Sequence, residues 1–335
     1  MLVSVIIPAY NRATLLRPTI DAVLAQTRPP DEIIVVDDGS SDGTGAVARG
    51  YGARVACITT VNGGDIVARN VGLRAARGQL VAFCDSDDLW RPDFLATMLT
   101  LWQAEPRARV AWSDFVLVRD EVWEEETKFA GAPPGYWDGL RMAAPSLGVF
   151  DMPVVERLVR FQPFFTSCLV ADRALLLAVG GWDESVGPVV GKDFATALRL
   201  AEHPPFGVVL SPLVGIRKHA GNYSGDVQAM NLGDAQVLEH VLATRPSLHP
   251  MEPAIRASVA RRRAAALDTA FERRDFAAVR SIATVLPPAG LGARAKRGVA
   301  ALPEPARGLL AGALLAFGSA RRRCGACLAS WRAMR

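Results

Sequence analysis

The stretch Leu80–Trp90, LVAFCDSDDLW, runs from an apolar segment straight into three carboxylates, Asp85, Asp87 and Asp88. Burying an unpaired carboxylate costs several kcal/mol or more. A buried strand that ends this way either opens into solvent or offers its acids to something positive. The segment EIIVVDD has the same form, ending in Asp37 and Asp38. Working outward, strand-length runs rich in β-branched residues (LVSVIIP, EIIVVDD, RVACITT, QLVAFC) alternate with helix-like segments. The helices are expected at about Leu15–Gln26, with Pro18 in the first turn, over GTGAVARGYG closed by Gly52, and over DIVARNVGLRAARG capped by Gly78. This βαβαβαβ rhythm predicts an α/β fold: an open, mostly parallel sheet with helices on both faces. Ligands of such sheets gather beyond the carboxyl ends of the strands, where both acidic clusters fall.

With 335 residues, half of them hydrophobic, the chain can form one sizeable core and a smaller second unit. The net charge of +4 is unevenly spread: Met251–Arg335 carries sixteen Lys/Arg against five Asp/Glu, or +11, leaving −7 on the residues before it. A basic end on an acidic body points to a phosphate-bearing surface, lipid headgroups or nucleic acid. No nucleic-acid module accompanies the charge, so nucleic acid is not expected as a partner. Five cysteines make no disulfide framework, and Cys324 and Cys327, a CxxC without a second pair, make a poor zinc site. A reducing, cytoplasmic location is expected. MLVSVIIPAYNR does not have the form of a signal peptide, and the late apolar run Gly308–Ala320 falls short of the ~20 residues of a spanning helix. The middle, about Val122–Phe165, shows no clear period. From about Leu232 the pattern is helical, with a helix pair expected around Arg273–Asp275.

Five motifs, taken in order, resemble the family 2 glycosyltransferases of the GT-A (Rossmann-like) fold. They are SVIIPAYNR, IIVVDDGSSDGT, NGGDIVARNVGLRAARGQLVAFCDSDDLW, GGWDES and RKHAGNYS. The resemblance covers residues 1–225 and implies a nucleotide-sugar transferase domain, followed by a basic helical region over 226–335. It places the nucleotide base near Pro8, Ala9 and Tyr10, with Asp38 accepting from a uracil-type N–H, which favours a UDP-sugar donor. Arg69 resembles the residue that meets donor phosphate or ribose. Asp85 and Asp87 match the family's Asp-x-Asp, which implies Mn²⁺ or Mg²⁺ at Asp87; a hard cation of this kind bridges carboxylates to diphosphate. Asp88 reads as a cap for the next helix or as a brace for a neighbour. His219 is implied as a metal or diphosphate contact and Arg217 as a phosphate contact.

The resemblance also implies inversion, with Asp193 as the base that takes the acceptor's proton. Family members carry an acid before that position; this chain has Lys192. An ammonium close to Asp193 would lower the carboxyl's pKa and weaken the base. Lys192 could instead bind an anionic group or point to solvent. Trp123, Tyr136 and Trp137 read equally well as acceptor-stacking or as core. The chain lacks the Gln-x-x-Arg-Trp signature of processive synthases, so transfer of a single sugar to a glycan or lipid-linked acceptor is expected. The basic end would lie on the cytosolic face of an anionic membrane, or else pack as a helical subdomain or dimer interface. A non-catalytic nucleotide- or glycan-binding module is the competing class.

Overall fold

In the computed structural model, residues 1–222, 225–286 and 290–316 are described, so Cys324, Cys327 and Arg321–Arg323 lie outside the described residues. The chain divides into two compact units, Met1–Gly225 and Asp226–Arg335.

Among the described residues the first unit is built on eleven strands in one sheet. They are β1 Val3–Ala9, β2 Glu32–Asp37, β3 Ala56–Thr59, β4 Leu80–Phe83, β5 Leu89–Trp90, β6 Val110–Arg119, β7 Val122–Thr127, β8 Arg141–Ala144, β9 Leu147–Phe150, β10 Leu169–Asp172 and β11 Phe206–Lys218. The order is β3-β2-β1-β4-β10-β6-β11-β9-β8, with β5 on β11 and β7 on β6. β3, β2, β1 and β4 run parallel, with β1 and β4 buried along their whole length and β3 at the partly exposed edge. The chain leaves β1 toward β2 on one side and returns to β4 on the other, so the strand order reverses between β1 and β4. That crevice is where the topology opens a ligand site.

Beyond β4 the sheet becomes mixed: β10 is antiparallel to both β4 and β6, while β11 runs parallel to β6. The segment that showed no period, about Val122–Phe165, forms β7, β8, β9 and the helix Val155–Arg160. Its aromatics pack on one another. Tyr136 is buried, and Trp137 lies against Phe129, Tyr136 and Phe150, so this pair belongs to the core. Cys84 and Cys168 are buried free thiols whose pKa burial pushes up, and they serve as small packing groups.

Two details depart from the sequence expectation. The first helix starts at Ala13, which places Pro18 in its second turn. The Leu15 carbonyl in the same turn accepts from Arg217 Nη2 at 2.7 Å and from Thr19 Oγ1 at 3.3 Å. Gly78 is not a left-handed helix cap. It lies outside the helix Asp65–Ala75, and a Cβ there would stand 2.6 Å from the Ser4 backbone nitrogen. Its N–H donates to Ser4 Oγ at 2.8 Å, so what it supplies is close approach to β1.

The second unit, described by itself, has helices Val227–Thr244, Glu252–Glu272, Phe276–Val285 and Gly290–Ala300, and one over 306–316. Leu267, Phe271, Val279 and Ile282 centre its core. The Arg273–Asp275 turn has Arg274 at φ 59°, and Asp275 caps the next helix by accepting from the Ala278 N–H at 3.0 Å. Part of the basic charge is internal. Arg262 pairs with Asp234, Arg263 with Glu239 at 2.7 Å and Lys296 with Asp268 at 2.7 Å. No described helix is long and apolar enough to cross a membrane.

Gly72 sets the distance between the helix Asp65–Ala75 and the sheet, because a Cβ there would lie 2.4 Å from Ile6 Cγ2. Ile6 is fully buried and cannot yield. Gly72→Ala is therefore expected to lose about 1–3 kcal/mol through overpacking, more than the ~1 kcal/mol that alanine gains in helix propensity. Urea unfolding of the two proteins measures the balance.

Candidate active site

The ends of β1, β2 and β4 bring the first group of residues together. Pro8 and Ala9 sit in the β1–β2 ladder opposite Val36 and Asp37, while Tyr10, just past the strand, is 46% exposed. Asp38 is only 2% exposed. Its carboxylate accepts from the Gly63 N–H at 2.9 Å, the Gly64 N–H at 2.8 Å and Thr60 Oγ1 at 3.2 Å. Asp38 thus holds the Gly63–Gly64 loop, whatever further donor meets its remaining lone pairs. Asp37 accepts from the Ser40 N–H at 3.1 Å and fixes the turn that follows β2.

Behind that loop lies an ion array centred on one buried guanidinium, with Asp65 at its exposed edge. The Arg69 guanidinium, 5% exposed, reaches Asp65 Oδ2 at 2.6 Å with one nitrogen and Asp85 Oδ1 at 2.7 Å with the other. Its carbon lies 5.2 Å from the Trp182 ring centre, within cation–π range. Burial opposes the Arg69 charge, but Asp85, Asp65 and Asp193 outweigh it and hold the group firmly protonated. Asp65 also takes Lys192 Nζ at 2.8 Å on its other oxygen. Burial would raise the Asp65 carboxyl, yet the two cations prevail and hold it at about 2.

Lys192 therefore neither crowds Asp193 nor points to open solvent; its ammonium is turned onto Asp65. Asp193, the first residue of the helix Asp193–Leu200, accepts from Thr166 Oγ1 at 3.2 Å. Burial pushes its carboxyl above the ordinary aspartate range, Arg69 works against that, and the nearby Asp65 charge adds to it. The direction is the one a base working near neutral pH requires.

The Asp-x-Asp acids have unequal surroundings. Asp85 is bound to Arg69, and burial together with the Asp87 charge raises its carboxyl in spite of that partner. Asp87 Oδ2 lies 3.0 Å from His219 Nε2 and 3.5 Å from Arg12 Nε. The Gly221 N–H donates to His219 Nδ1 at 3.1 Å, and Asn222 Nδ2 lies 3.2 Å from His219 Nε2. Asp88 is buried and caps no helix. It accepts from Ser167 Oγ at 2.5 Å and from the Arg217 N–H at 3.2 Å, and burial pushes its carboxyl well up. Arg217, only 5% exposed, spends its guanidinium on the chain's own oxygens: the Asp87 carbonyl, the Leu15 carbonyl and Thr19 Oγ1. It braces the site from behind.

Among the described residues no three His, Cys, Asp or Glu side chains are grouped to hold a metal. Asp87 and His219 form a two-member donor set of one carboxylate and one imidazole. That number fits Mn²⁺ or Mg²⁺, which take few protein ligands and fill the rest with phosphate oxygens and water.

Four residues important here escaped the sequence reading. Thr166 and Ser167, a polar pair at the end of the apolar segment FQPFFTSC, meet Asp193 and Asp88; Ser167 Oγ also accepts from the Asp85 N–H at 3.0 Å. Asp65 and Arg12 stand inside quoted motifs, but nothing in the sequence says that they pair with Lys192 and Asp87. Trp123, on β7, stacks under the Arg91 guanidinium at 4.6 Å.

The fold and this site define the GT-A architecture, and residues 4–164 match the family model described as Glycosyl transferase family 2. The first unit belongs to that family. The chain is 30% identical over 271 residues to the validoxylamine A glucosyltransferase of Streptomyces hygroscopicus subsp. limoneus, covering 74% of this chain and 58% of that one. It spans only 29% of the length of the first curated relatives it matches. S. aureus TarS 1–349 in complex with UDP-GlcNAc superposes with a TM-score of 0.53 at 19% identity, over 72% of this chain and 67% of that one. The mannosyltransferase PcManGT from Pyrobaculum calidifontis, in complex with GDP-Man and Mn²⁺, gives 0.51 at 23%, over 94% and 85%. Likeness at this identity establishes the fold.

Ser167 is fully buried and bonded on both sides, so Ser167→Ala leaves the Asp85 N–H and the Asp88 carboxylate short of a partner. A loss of about 1–3 kcal/mol in unfolding free energy is expected, measurable in urea. Asp65, whose pKa folding depresses, contributes stability that is complete above about pH 4 and lost as the pH falls toward about 2. Acid titrations of wild type and Asp65→Asn should differ within that window, with the variant lacking this loss.

Proposed function

We propose that this chain transfers a single sugar from a nucleotide-diphosphate donor, a UDP-sugar by preference, to a hydroxyl of a glycan or lipid-linked acceptor, with inversion. The setting that suits it is surface polysaccharide or glycoconjugate assembly. The observation that carries this reading is the gathering of Asp38, Asp85 and Asp87 at the carboxyl ends of β2 and β4, tied through Arg69, Asp65 and Lys192 to the helix that opens with the raised Asp193 carboxyl. Nucleotide-sugar complexes of TarS and PcManGT lend support for the donor class, and the names of the curated relatives support sugar transfer.

In this reading Pro8, Ala9 and Tyr10 line the base and Asp38 faces its N–H, while Arg69 lies toward the ribose and phosphates through Asp85. Asp193 takes the proton of the acceptor hydroxyl, whose oxygen bonds to the anomeric carbon as the bond to the diphosphate breaks. The nucleoside diphosphate leaves with that electron pair. Asp87 and His219 would hold Mn²⁺ or Mg²⁺, which supplies Lewis-acid neutralisation of the leaving diphosphate. Lys192 paired with Asp65 rather than Asp193 supports the catalytic reading over a non-catalytic module. The basic helical region is suited to the surface of an anionic membrane carrying a lipid-linked acceptor.

Calorimetric titration of UDP, GDP and dTDP, each with and without Mn²⁺, is the first test. One nucleotide is expected to bind in a metal-dependent way, and Asp87→Ala to abolish that binding. A chain that binds none of the three under either condition overturns the reading. Asp193→Asn should keep nucleotide binding and lose on the order of 10²–10⁴ in turnover. Because its pKa is raised, wild-type kcat/KM should fall on the acid side at a pH above the usual aspartate range, as Asp193 takes up a proton.

A further inference from the structure

The acid that the family's pattern would put before the base is a lysine here, and its surroundings explain how the chain accommodates the change. We propose that Lys192 is a positioning residue that, through Asp65, locks the nucleotide-side loop to the helix carrying Asp193. This rests on the transferase reading above.

The connections are continuous. Asp38 grips the Gly63 and Gly64 N–H groups at 2.9 and 2.8 Å. Asp65 follows Gly64 directly and opens the helix Asp65–Ala75. Its two oxygens take two cations from different elements: Arg69, one turn along its own helix, and Lys192, immediately before the helix Asp193–Leu200. Arg69 carries the array on to Asp85 at the end of β4. The loop that meets Asp38, the acidic strand end and the candidate base are thus joined by one set of ion pairs, and Lys192 is its last member. A glutamate at 192 would face the Asp65 carboxylate and break the link, so the lysine and Asp65 work as a pair.

The charged groups acting on Asp193 are Arg69, which favours its ionised form, and Asp65, which opposes it. Asp85 lies beyond Arg69, close enough that the Asp193 charge raises its own carboxyl. Lys192 bears on Asp193 by compensating Asp65. Without the ammonium, the Asp65 charge is less balanced and Asp193 holds its proton to a higher pH.

The experiment compares wild type, Lys192→Ala, Lys192→Arg, Asp65→Asn and the double variant Asp65→Asn/Lys192→Ala, with urea unfolding confirming that each is folded. The readouts are the affinity for whichever of UDP, GDP and dTDP the wild type binds, and the pH profile of kcat/KM. Lys192→Ala should weaken nucleotide binding about three- to thirtyfold and move the acidic limb to higher pH. Lys192→Arg should restore both, and Lys192→Ala should add nothing in the Asp65→Asn background. Overturning results are a Lys192→Ala protein equal to wild type in both readouts, an equal loss in the alanine and arginine variants, or the same loss persisting when Asp65 is already asparagine. If the wild type itself binds none of the three nucleotides, the transferase reading fails and this proposal with it. If the wild type binds and turns over while Lys192→Ala matches it, this proposal alone fails.

Discussion

The Arg69 guanidinium, buried between Asp65 and Asp85, is the contact on which the rest of the site depends. Four carboxylates converge here: Asp65, Asp85, Asp87 and Asp193. In a medium of low dielectric their mutual repulsion would hold several of them protonated or drive the segments apart. One planar, permanently charged fork answers two of these acids at once, and Arg69 holds it on the face of Trp182. Removing one partner of a buried ion pair costs far more than the pair contributes. The helix Asp65–Ala75 is placed for this duty by Gly72, which lets it lie close on β1.

A second set of bonds fixes the far side of the cluster. Ser167 links the Asp85 N–H to the Asp88 carboxylate, and Arg217 fastens the Asp87 carbonyl to the first helix. Asp88 and Arg217 are both buried, and their polar atoms are spent inside the protein. Asp87 and His219 are less buried, with side chains 15% and 22% exposed. Rigid support behind and available donors in front is the division that binding a charged ligand demands.

Half of the fold was legible in the sequence because its signals are local. β1 and β4 are buried along their whole length and β2 is apolar between Glu32 and Asp37, which marks strands covered on both faces. Asp38, Asp85 and Asp87 could be picked out because an acid at the end of such a strand needs an explanation. Between about Val122 and Phe165 no period was readable, since β7, β8 and β9 are short and β9 joins the sheet through β11, distant in the chain, whereas the helices after Leu232 and the turn at Arg273–Asp275 were legible. Asp193 was placed by motif order alone. Its surroundings were not readable: Thr166 lies 27 residues away and Asp65 belongs to another element. Gly78 was misjudged for a related reason, because a local rule made it a helix cap while its close approach to Ser4 is what it serves, and of the two readings of Asp88 the bracing one, toward Ser167 and Arg217, is what the structure shows.

The reversal at β10 has an architectural consequence. Because β10 runs against β4, the residues just before its start, Thr166 and Ser167, arrive at the carboxyl end of β4. The parallel half of the sheet, β3 to β4, carries the groups assigned to the nucleotide. The chain from β6 onward carries the candidate base Asp193, and it meets the earlier strands where β10 pairs with β4 and where β11 pairs with β5. Four residues after Val110 reach back to the acidic cluster: Ser167 to Asp85 and Asp88, Lys192 to Asp65, Arg217 to the Asp87 carbonyl and His219 to the Asp87 carboxylate. The donor-side acids are thus clamped by both lengths of the chain, and Ser167 is the buried rivet where the two cross.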